Sequence, residues 1–407
     1  MKAVIQPLQH NEARLIAGVS LASMVIFINL YLVQGMLPLI STSFEITMSH
    51  ATLLLSATSF TMAFSLLIFA VLSDRIGRKK PILVSLILLC ITDLFAYFIT
   101  DFNQLLSLRF VQGILLASVP AMAMAYFKDE LTGHGLLKAG AIYIAANSLG
   151  GIAGRLLGGV MAQYLDWQQA MLLLTAITLF GTAFVSYLLP TSHFCKPENT
   201  SKSRVFRMTD FNGFCLHLGD AKMRLIYLVG GIAFMIMVNQ FSYIQLHLMQ
   251  APFDMGRFEV TLIFLCYLSG TYASYHSAKW VTNHGLNRVF KSAALFMFAG
   301  SLLTLQDTLL SIYVGFLLSA FGFFLLHSSC NAWVANRAEQ HRAKATSLYL
   351  CSYYLGAAIG GPYLLPFWHK FGWDGVVLAS QLALTLMSFV IVKVLHAKPD
   401  TDQLAAV

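Results

Sequence analysis

Charge is what this 407-residue sequence has least of. Only 11% of its residues are Asp, Glu, Lys or Arg, against roughly 25% in a typical soluble domain. Hydrophobic residues make up 57% and mean hydropathy is +0.70, so lipid is the solvent for much of the chain. Six cysteines stand at positions 90, 195, 215, 266, 330 and 351. None forms a C-x-x-C pair or a zinc-type spacing, which excludes a disulfide framework. Most lie in apolar runs, where cysteine behaves as a small hydrophobe. There is no Walker motif, no H-E-x-x-H and no G-x-S-x-G, which leaves no basis for a nucleotide-driven pump, a zinc hydrolase or a serine hydrolase. No cofactor and no metal are expected. No short apolar core with a small-residue cleavage site opens the chain, so its first apolar run is read as a span.

A spanning helix needs about 20 mostly apolar residues, and about twelve such runs are found. They cover approximately 14–40, 50–72, 81–99, 103–127, 136–163, 169–189, 224–250, 258–280, 289–306, 309–334, 345–366 and 375–395. The sequence pI near 9.1 does not point to nucleic acid, because the basic residues fall in short loops. The even-numbered connections carry Arg75, Arg78, Lys79, Lys80, Lys128, Lys138, Lys196, Lys202, Arg204, Arg207, Lys222, Arg224, Lys279, Arg288, Lys291, Arg337, Arg342 and Lys344. The odd-numbered ones carry only Arg257 and Lys370. This bias places both termini and the long middle loop in the cytoplasm.

That loop, 190–223, divides the chain into an N-terminal half, 1–189, and a C-terminal half, 224–407. The fifth and eleventh runs align with a shift of about 206 residues: Lys138 meets Lys344, Tyr143 meets Tyr349, Gly154 meets Gly360 and Trp167 meets Trp373. The fourth and tenth align with a slightly larger shift, Gly113 with Gly322. Two homologous six-helix halves explain the matches; chance similarity of apolar helices is the alternative.

The loop "AVLSDRIGRKKPIL", Ala70–Leu83, has Gly77 where a tight turn is needed. Asp74 can accept hydrogen bonds or pair with Arg75 and Arg78. It resembles the loop signature of the major facilitator superfamily, G-x-L-x-D-R-x-G-R-K/R, with Ala70 in place of the first glycine. "LLSLRFVQGILLA", Leu105–Ala117, is similar to the fourth-helix signature R-x-x-Q-G, with Arg109 and Gln112 on one face. The resemblance implies a proton-coupling role for Arg109. "NSLGGIAGRLLGGV", Asn147–Val160, resembles the antiporter signature G-x-x-x-G-P-x-x-G-G of the fifth helix. Gly150, Gly154, Gly158 and Gly159 would let helix backbones approach closely, and Arg155 stands where the family has proline. Across its length the chain resembles bacterial inner-membrane permeases of the drug:proton antiporter branch, the YnfM-like proteins, in the pair Gly154 and Arg155 and in "SLYLCSYYLG", Ser347–Gly356. This likeness implies an all-α integral membrane protein with the major facilitator fold of twelve helices, rocking two halves around a midplane site.

A charge at mid-membrane costs at least about 2.5–3.5 kcal/mol on insertion scales, so each needs an account. Asp93, Arg109 and Arg155 stand at similar depth in the third, fourth and fifth spans and can form one polar layer. Asp93 is either a protonatable carboxylate or a structural partner of an arginine. Arg109 and Arg155 are either substrate-anion or coupling contacts, or structural charges. His327 is either a proton carrier or a satisfied core histidine. By fold resemblance the cavity candidates are Asn29, Tyr31, Gln34, Tyr143, Asn147, Asn239, Gln240, Tyr243, His327, Asn331, Tyr349, Tyr353 and Tyr354. Two positive charges and one negative disfavour organic cations and favour neutral polar or anionic substrates. The expected function is proton-coupled efflux of a small organic compound (a drug, sugar or siderophore-like metabolite) by a monomer in the inner membrane. Its partners are that substrate, protons and the bilayer. Uptake by the same fold is the alternative; a sensor or a membrane enzyme would need a domain or constellation that is not found.

Overall fold

The computed structural model describes residues 10–190 and 212–396. Most of the middle loop and the two chain ends therefore lie outside the described residues. The elements are α-helices with short connections: α1 (His10–Gly35), α2 (Leu37–Ser43), α3 (Met48–Ala51), α4 (Leu53–Ile76), α5 (Lys79–Ala96), α6 (Phe102–Leu116), α7 (Ser118–Glu130), α8 (Gly133–Tyr164) and α9 (Trp167–Leu188), then α10 (Asn212–Gly219), α11 (Ala221–Leu248), α12 (Tyr267–His284), α13 (Leu286–Leu303), α14 (Leu309–Arg337) and α15 (Arg342–His396). A 3-10 segment, Glu259–Cys266, leads into α12.

Eight helical segments are long and apolar enough to cross a membrane. One of the eight, α15, holds two of the expected runs as arms joined at Gly372, φ +59°, and the remaining three fall on α5, α8 and α12. Polar content separates α5, α8 and α12 from the eight. The first holds Lys79, Lys80 and Asp93, the second Lys138, Asn147 and Arg155, and the third ends in "HSAKWVTNH".

Caps explain several of the loop acids. Asp101 accepts from the backbone N–H of Asn103 and Gln104 at the start of α6, and Asp166 forms a capping box with Gln169 at the start of α9. Each such cap is worth about 1 kcal/mol. Gly77, at φ +82°, ends α4 in a conformation that side-chain-bearing residues avoid.

Two tight helix pairs sit at the centre. The α8 glycines at spacing four lie against α1 at the same spacing. A Cβ on Gly150 would sit 2.9 Å from Met24 Cα, and one on Gly154 2.8 Å from Ile28 Cα. One on Gly158 would run into the carbonyl of Leu32. Along α15, a Cβ on Gly356 would meet the carbonyl of Gly231 on α11, and one on Gly360 that of Met235. Trp167 donates to the Ala96 carbonyl, and Trp373 to the Thr304 carbonyl and hydroxyl.

Hydrogen bonds between the first set of helices, α1–α9, and the second, α10–α15, have a clear distribution among the described residues. Gln34 donates to the Val238 carbonyl and Ser242, Arg257 to the Ala162 carbonyl, and the Phe258 N–H to Gln163. Ser49 meets His369, and Ser148 meets Thr271. All lie at mid-helix or towards the ends away from the basic loops.

At the basic end, each set has its own ion pair. Arg78 Nε is 3.0 Å from Asp129, and Arg337 Nε is 2.7 Å from Asp220. Partial burial works to raise the Asp220 carboxyl. The hydrogen bonds from Arg337 and from the Met223 and Lys222 N–H groups outweigh it and hold the carboxyl below the usual range. A depressed carboxylate contributes stability that is present above its ordinary pKa and lost as pH falls through the folded one. Asp220→Asn should therefore lower Tm slightly at pH 7, since the pair is partly exposed and screened. The gap from the parent should close below about pH 4. A thermal melt series from pH 7 to 3 checks this; a gap that stays constant with pH removes the carboxylate's ionisation as its cause.

Candidate functional site

The membrane charges resolve into two centres on opposite faces of α1. Residues advance about 100° each around a helix. Asn29 therefore faces one way, and Tyr31 and Gln34 face nearly the other.

On the Asn29 side, Asp93 of α5 is fully buried. One carboxylate oxygen accepts from Gln112 Nε2 at 2.9 Å, the other from Thr178 Oγ1 at 2.7 Å. Gln112 in turn accepts from Arg109 Nη1 at 2.8 Å through its amide oxygen. Arg109 also reaches the carbonyls of Asn29 and Leu30 on α1 at 3.4 and 3.2 Å. The R-x-x-Q spacing thus makes Gln112 the link between cation and carboxylate. Asn29 Nδ2 donates to Thr178 Oγ1 at 3.0 Å, while Asn29 Oδ1 is buried with no partner among the described residues. A cavity of about 20 Å³ touches Asn29, Asp93, Arg109 and Gln112, room for about one water.

On the other side of α1, Arg155 of α8 is 2% exposed. Nε donates to Gln34 Oε1 at 2.8 Å, and Nη1 to the carbonyl of Gly151 at 2.9 Å. The guanidinium lies 3.7 Å from the Tyr31 ring centroid, 4.6 Å from that of Tyr267 and 5.0 Å from that of Phe264. Tyr267 and Phe264 belong to the second set of helices. Gln34 also bonds to that set, through Val238 and Ser242. Arg155 therefore sits where the two sets meet. A guanidinium has five N–H donors. Besides Gln34 and the Gly151 carbonyl, the Tyr31 side chain lies within hydrogen-bonding reach of this guanidinium, and among the described residues no carboxylate pairs with it.

This corrects the expectation of one polar layer. Arg155 shares no partner with Asp93 or Arg109, because the fifth run packs its glycine face on α1. That turns Arg155 towards the second set, while the third and fourth runs meet the far face of α1.

The remaining candidates divide. Tyr353 stacks on Phe234 at 3.6 Å, and His327 lies 4.6 Å from the Tyr353 ring. His327 Nδ1 is 2.9 Å from the Tyr349 hydroxyl. Tyr354 lies within electrostatic reach of Tyr31, Tyr143 and Arg155. Together these rings form an aromatic cluster on α11, α14 and α15. Tyr143 neighbours Asn147 and Ser23, and Ser23 donates to Asn147. Asn239, Gln240 and Tyr243 donate to neighbouring helices: Asn239 to the Ala357 carbonyl, Gln240 to Ser301 and Tyr243 to the Gly361 carbonyl. Asn239 Oδ1 is buried without a partner among the described residues. The Asn331 amide oxygen is buried without a partner among the described residues. Asp74 and Arg75 close α4, and their side chains lie outside the described residues. Arg78 pairs with Asp129 on α7 and donates to Ser73.

Sequence reasoning missed Thr178, Phe264 and Tyr267. Thr178 carried a usable signal, as a hydroxyl within an apolar run that already required a partner for Asp93. Phe264 and Tyr267 share one face at a spacing of three, but aromatic residues in lipid-facing runs are too common to single them out.

The model described as Major Facilitator Superfamily matches residues 19–361, with a second match over 226–405. The inner membrane transport protein YnfM of Escherichia coli (strain K12) is 32% identical over 368 residues, 90% of this chain and 87% of its own. The uncharacterized MFS-type transporter YybF of Bacillus subtilis (strain 168) is 32% identical over 353 residues, 86% of each chain. In fold, the chain is similar to the human organic anion transporter MFSD10 (TETRAN). The TM-score is 0.71 at 17% identity, over 95% of this chain and all of that one.

Proposed function

This chain belongs to the major facilitator superfamily, and from that premise we propose that it exports a small neutral polar or anionic organic compound in exchange for protons. The observation that carries the reading is Arg155: a buried cation where two sets of helices meet, with rings of both sets around it and no carboxylate paired to it among the described residues. Apolar rings with a few placed polar groups are what a small organic ligand needs. A fixed positive charge repels organic cations.

The twelve-span, two-half architecture belongs to the same proposal, with halves 1–189 and 224–407. Its support is the matching of the α1 and α8 pair by the α11 and α15 pair, and of Trp167 by Trp373, at nearly constant shift. The basic loops, with both chain ends, then face the cytoplasm of a bacterial inner membrane. The cross-set hydrogen bonds lie at mid-helix or towards the other end, which supports a carrier closed towards the outside.

Proton coupling is assigned to the Asp93 centre. As a carboxylate, Asp93 accepts from Gln112 and Thr178. Once protonated, it must donate, and Thr178 must turn its hydroxyl elsewhere. The unpartnered Asn29 Oδ1, on the amide whose nitrogen now donates to Thr178, is the neighbouring acceptor once that amide turns. Asn29 shares α1 with Tyr31 and Gln34, so a change at Asp93 is felt beside Arg155. Arg109 stays charged throughout and holds Gln112 in place.

The test is transport in inverted membrane vesicles with an imposed pH gradient, over a panel of sugars, siderophores, drugs and organic acids. Gradient-driven accumulation is expected in the parent. Asp93→Asn should cut it at least tenfold while leaving downhill flux of the same compound measurable. Accumulation indifferent to the gradient removes proton coupling; accumulation driven by the opposite gradient makes this an uptake carrier.

A further inference from the structure

A second concave site lies outside both buried centres, between α12 and α13 with α14 as its floor. Its volume is about 310 Å³, within the range of ligand pockets. One end of the groove is polar. His284 is the last residue of α12, Gly285 makes the turn at φ +80°, and Arg288 lies in the first turn of α13, followed by Ser292 one turn on. His284, Arg288 and Ser292 are all exposed. The other end is apolar and aromatic. Trp280 and Phe321 rings are 5.5 Å apart, and Phe296 and Phe321 5.1 Å apart. Eight residues separate Arg288 from Phe296, so the groove descends about 12 Å along the helix. No carboxylate lines it. The α12–α13 turn belongs to the basic end of the molecule, beside Lys279 and Lys291.

We infer that this groove holds a phospholipid with an anionic headgroup, drawn from the leaflet at the basic end. The charge of Arg288 and the positive end of the α13 dipole take the phosphate. Ser292 adds a donor, and the Trp280–Phe296–Phe321 wall takes the first part of an acyl chain. Basic pockets between spanning helices on the cytoplasmic side are known to recognise such headgroups. Aromatic rings at headgroup depth suit the same boundary. The depth and apolar wall distinguish this occupant from free phosphate, which would leave most of the groove empty.

The experiment uses the full chain reconstituted in phosphatidylcholine vesicles containing either brominated phosphatidylglycerol or brominated phosphatidylcholine at equal mole fraction. Bromine quenches tryptophan on contact. The chain has five tryptophans, so the Trp280→Phe variant isolates the signal of the groove by difference. The expected result is that the Trp280 component shows about a fivefold preference for the anionic lipid, the equivalent of the roughly 1 kcal/mol that one arginine contributes near an anionic surface. Arg288→Gln should abolish the preference, Arg288→Lys should keep most of it, and added inorganic phosphate should not displace the lipid. Quenching by phosphatidylcholine reports that each variant is still folded in the bilayer. Equal quenching of Trp280 by the two lipids overturns the inference. So does a preference that survives Arg288→Gln, or one that inorganic phosphate competes away. None of these outcomes bears on whether or what the protein transports.

Discussion

Replacing Arg155 by alanine should lower kcat/KM for transport about a hundredfold, with most of the loss in KM. Removing one partner from a buried charged contact costs roughly 2–5 kcal/mol, and every 1.36 kcal/mol is tenfold. Arg155→Lys keeps the charge but loses the planar group that lies 3.7 Å over Tyr31, and ammonium does not replace guanidinium at a stacked site. It should recover no more than part of the activity. Arg155→Gln should behave like alanine towards anions and spare transport of neutral members of the panel. The measurement is initial uptake into inverted vesicles against substrate concentration. If Arg155→Ala leaves KM and pH dependence unchanged, the guanidinium is a structural charge held by its three rings, and the substrate site must be sought elsewhere.

The second large effect is on folding. Gly158→Leu should prevent accumulation of folded protein, and Gly158→Ala should lower Tm well beyond an ordinary surface change. A Cβ at Gly158 points into the Leu32 carbonyl and lies 3.1 Å from Gly35 Cα. The obstacle is backbone on both counts, so no rotamer relieves it. Overpacking costs about 1–3 kcal/mol even where side chains can shift, and here two helices must separate. Gly356→Ala, facing the Gly231 carbonyl in the other helix pair, should match it. Gly219→Ala, with open space around its Cβ position, is the control. Melting of purified protein in detergent decides it. Equal Tm values for Gly158→Ala and Gly219→Ala would mean that α1 and α8 are not held as closely as described.

The family and the all-helical class were legible because both rest on local pattern. Apolar runs of spanning length and the D-R-x-G-R-K order survive without any knowledge of packing. The glycine face of α8 was legible for the same reason, since a spacing of four defines a stripe on a helix. What failed was the placing of Arg155 beside Arg109 and Asp93. Depth along a helix can be counted from sequence, but the direction a residue faces depends on which neighbour the helix chooses. Gly150, Gly154 and Gly158 fix that choice by docking on α1, and only the assembled helices reveal that α1 then separates the two centres. Asn239 and Gln240 illustrate a related point. A polar side chain within an apolar run must find a partner, and a carbonyl on the next helix serves as well as a ligand.

The hydrogen bonds that join the two sets of helices, from Ser49 and His369 to Ser148 and Thr271, also set the terms on which the molecule keeps time. Each is worth about 0.5–1.5 kcal/mol net, so the seam as a whole holds several kcal/mol. If the proposed proton exchange holds, a carrier that parted this seam before closing its other mouth would become a leak, short-circuiting the gradient that drives it. The seam therefore acts as an interlock as much as a glue. Strengthening it should make the protein quieter and slower, and weakening it should make it faster and wasteful.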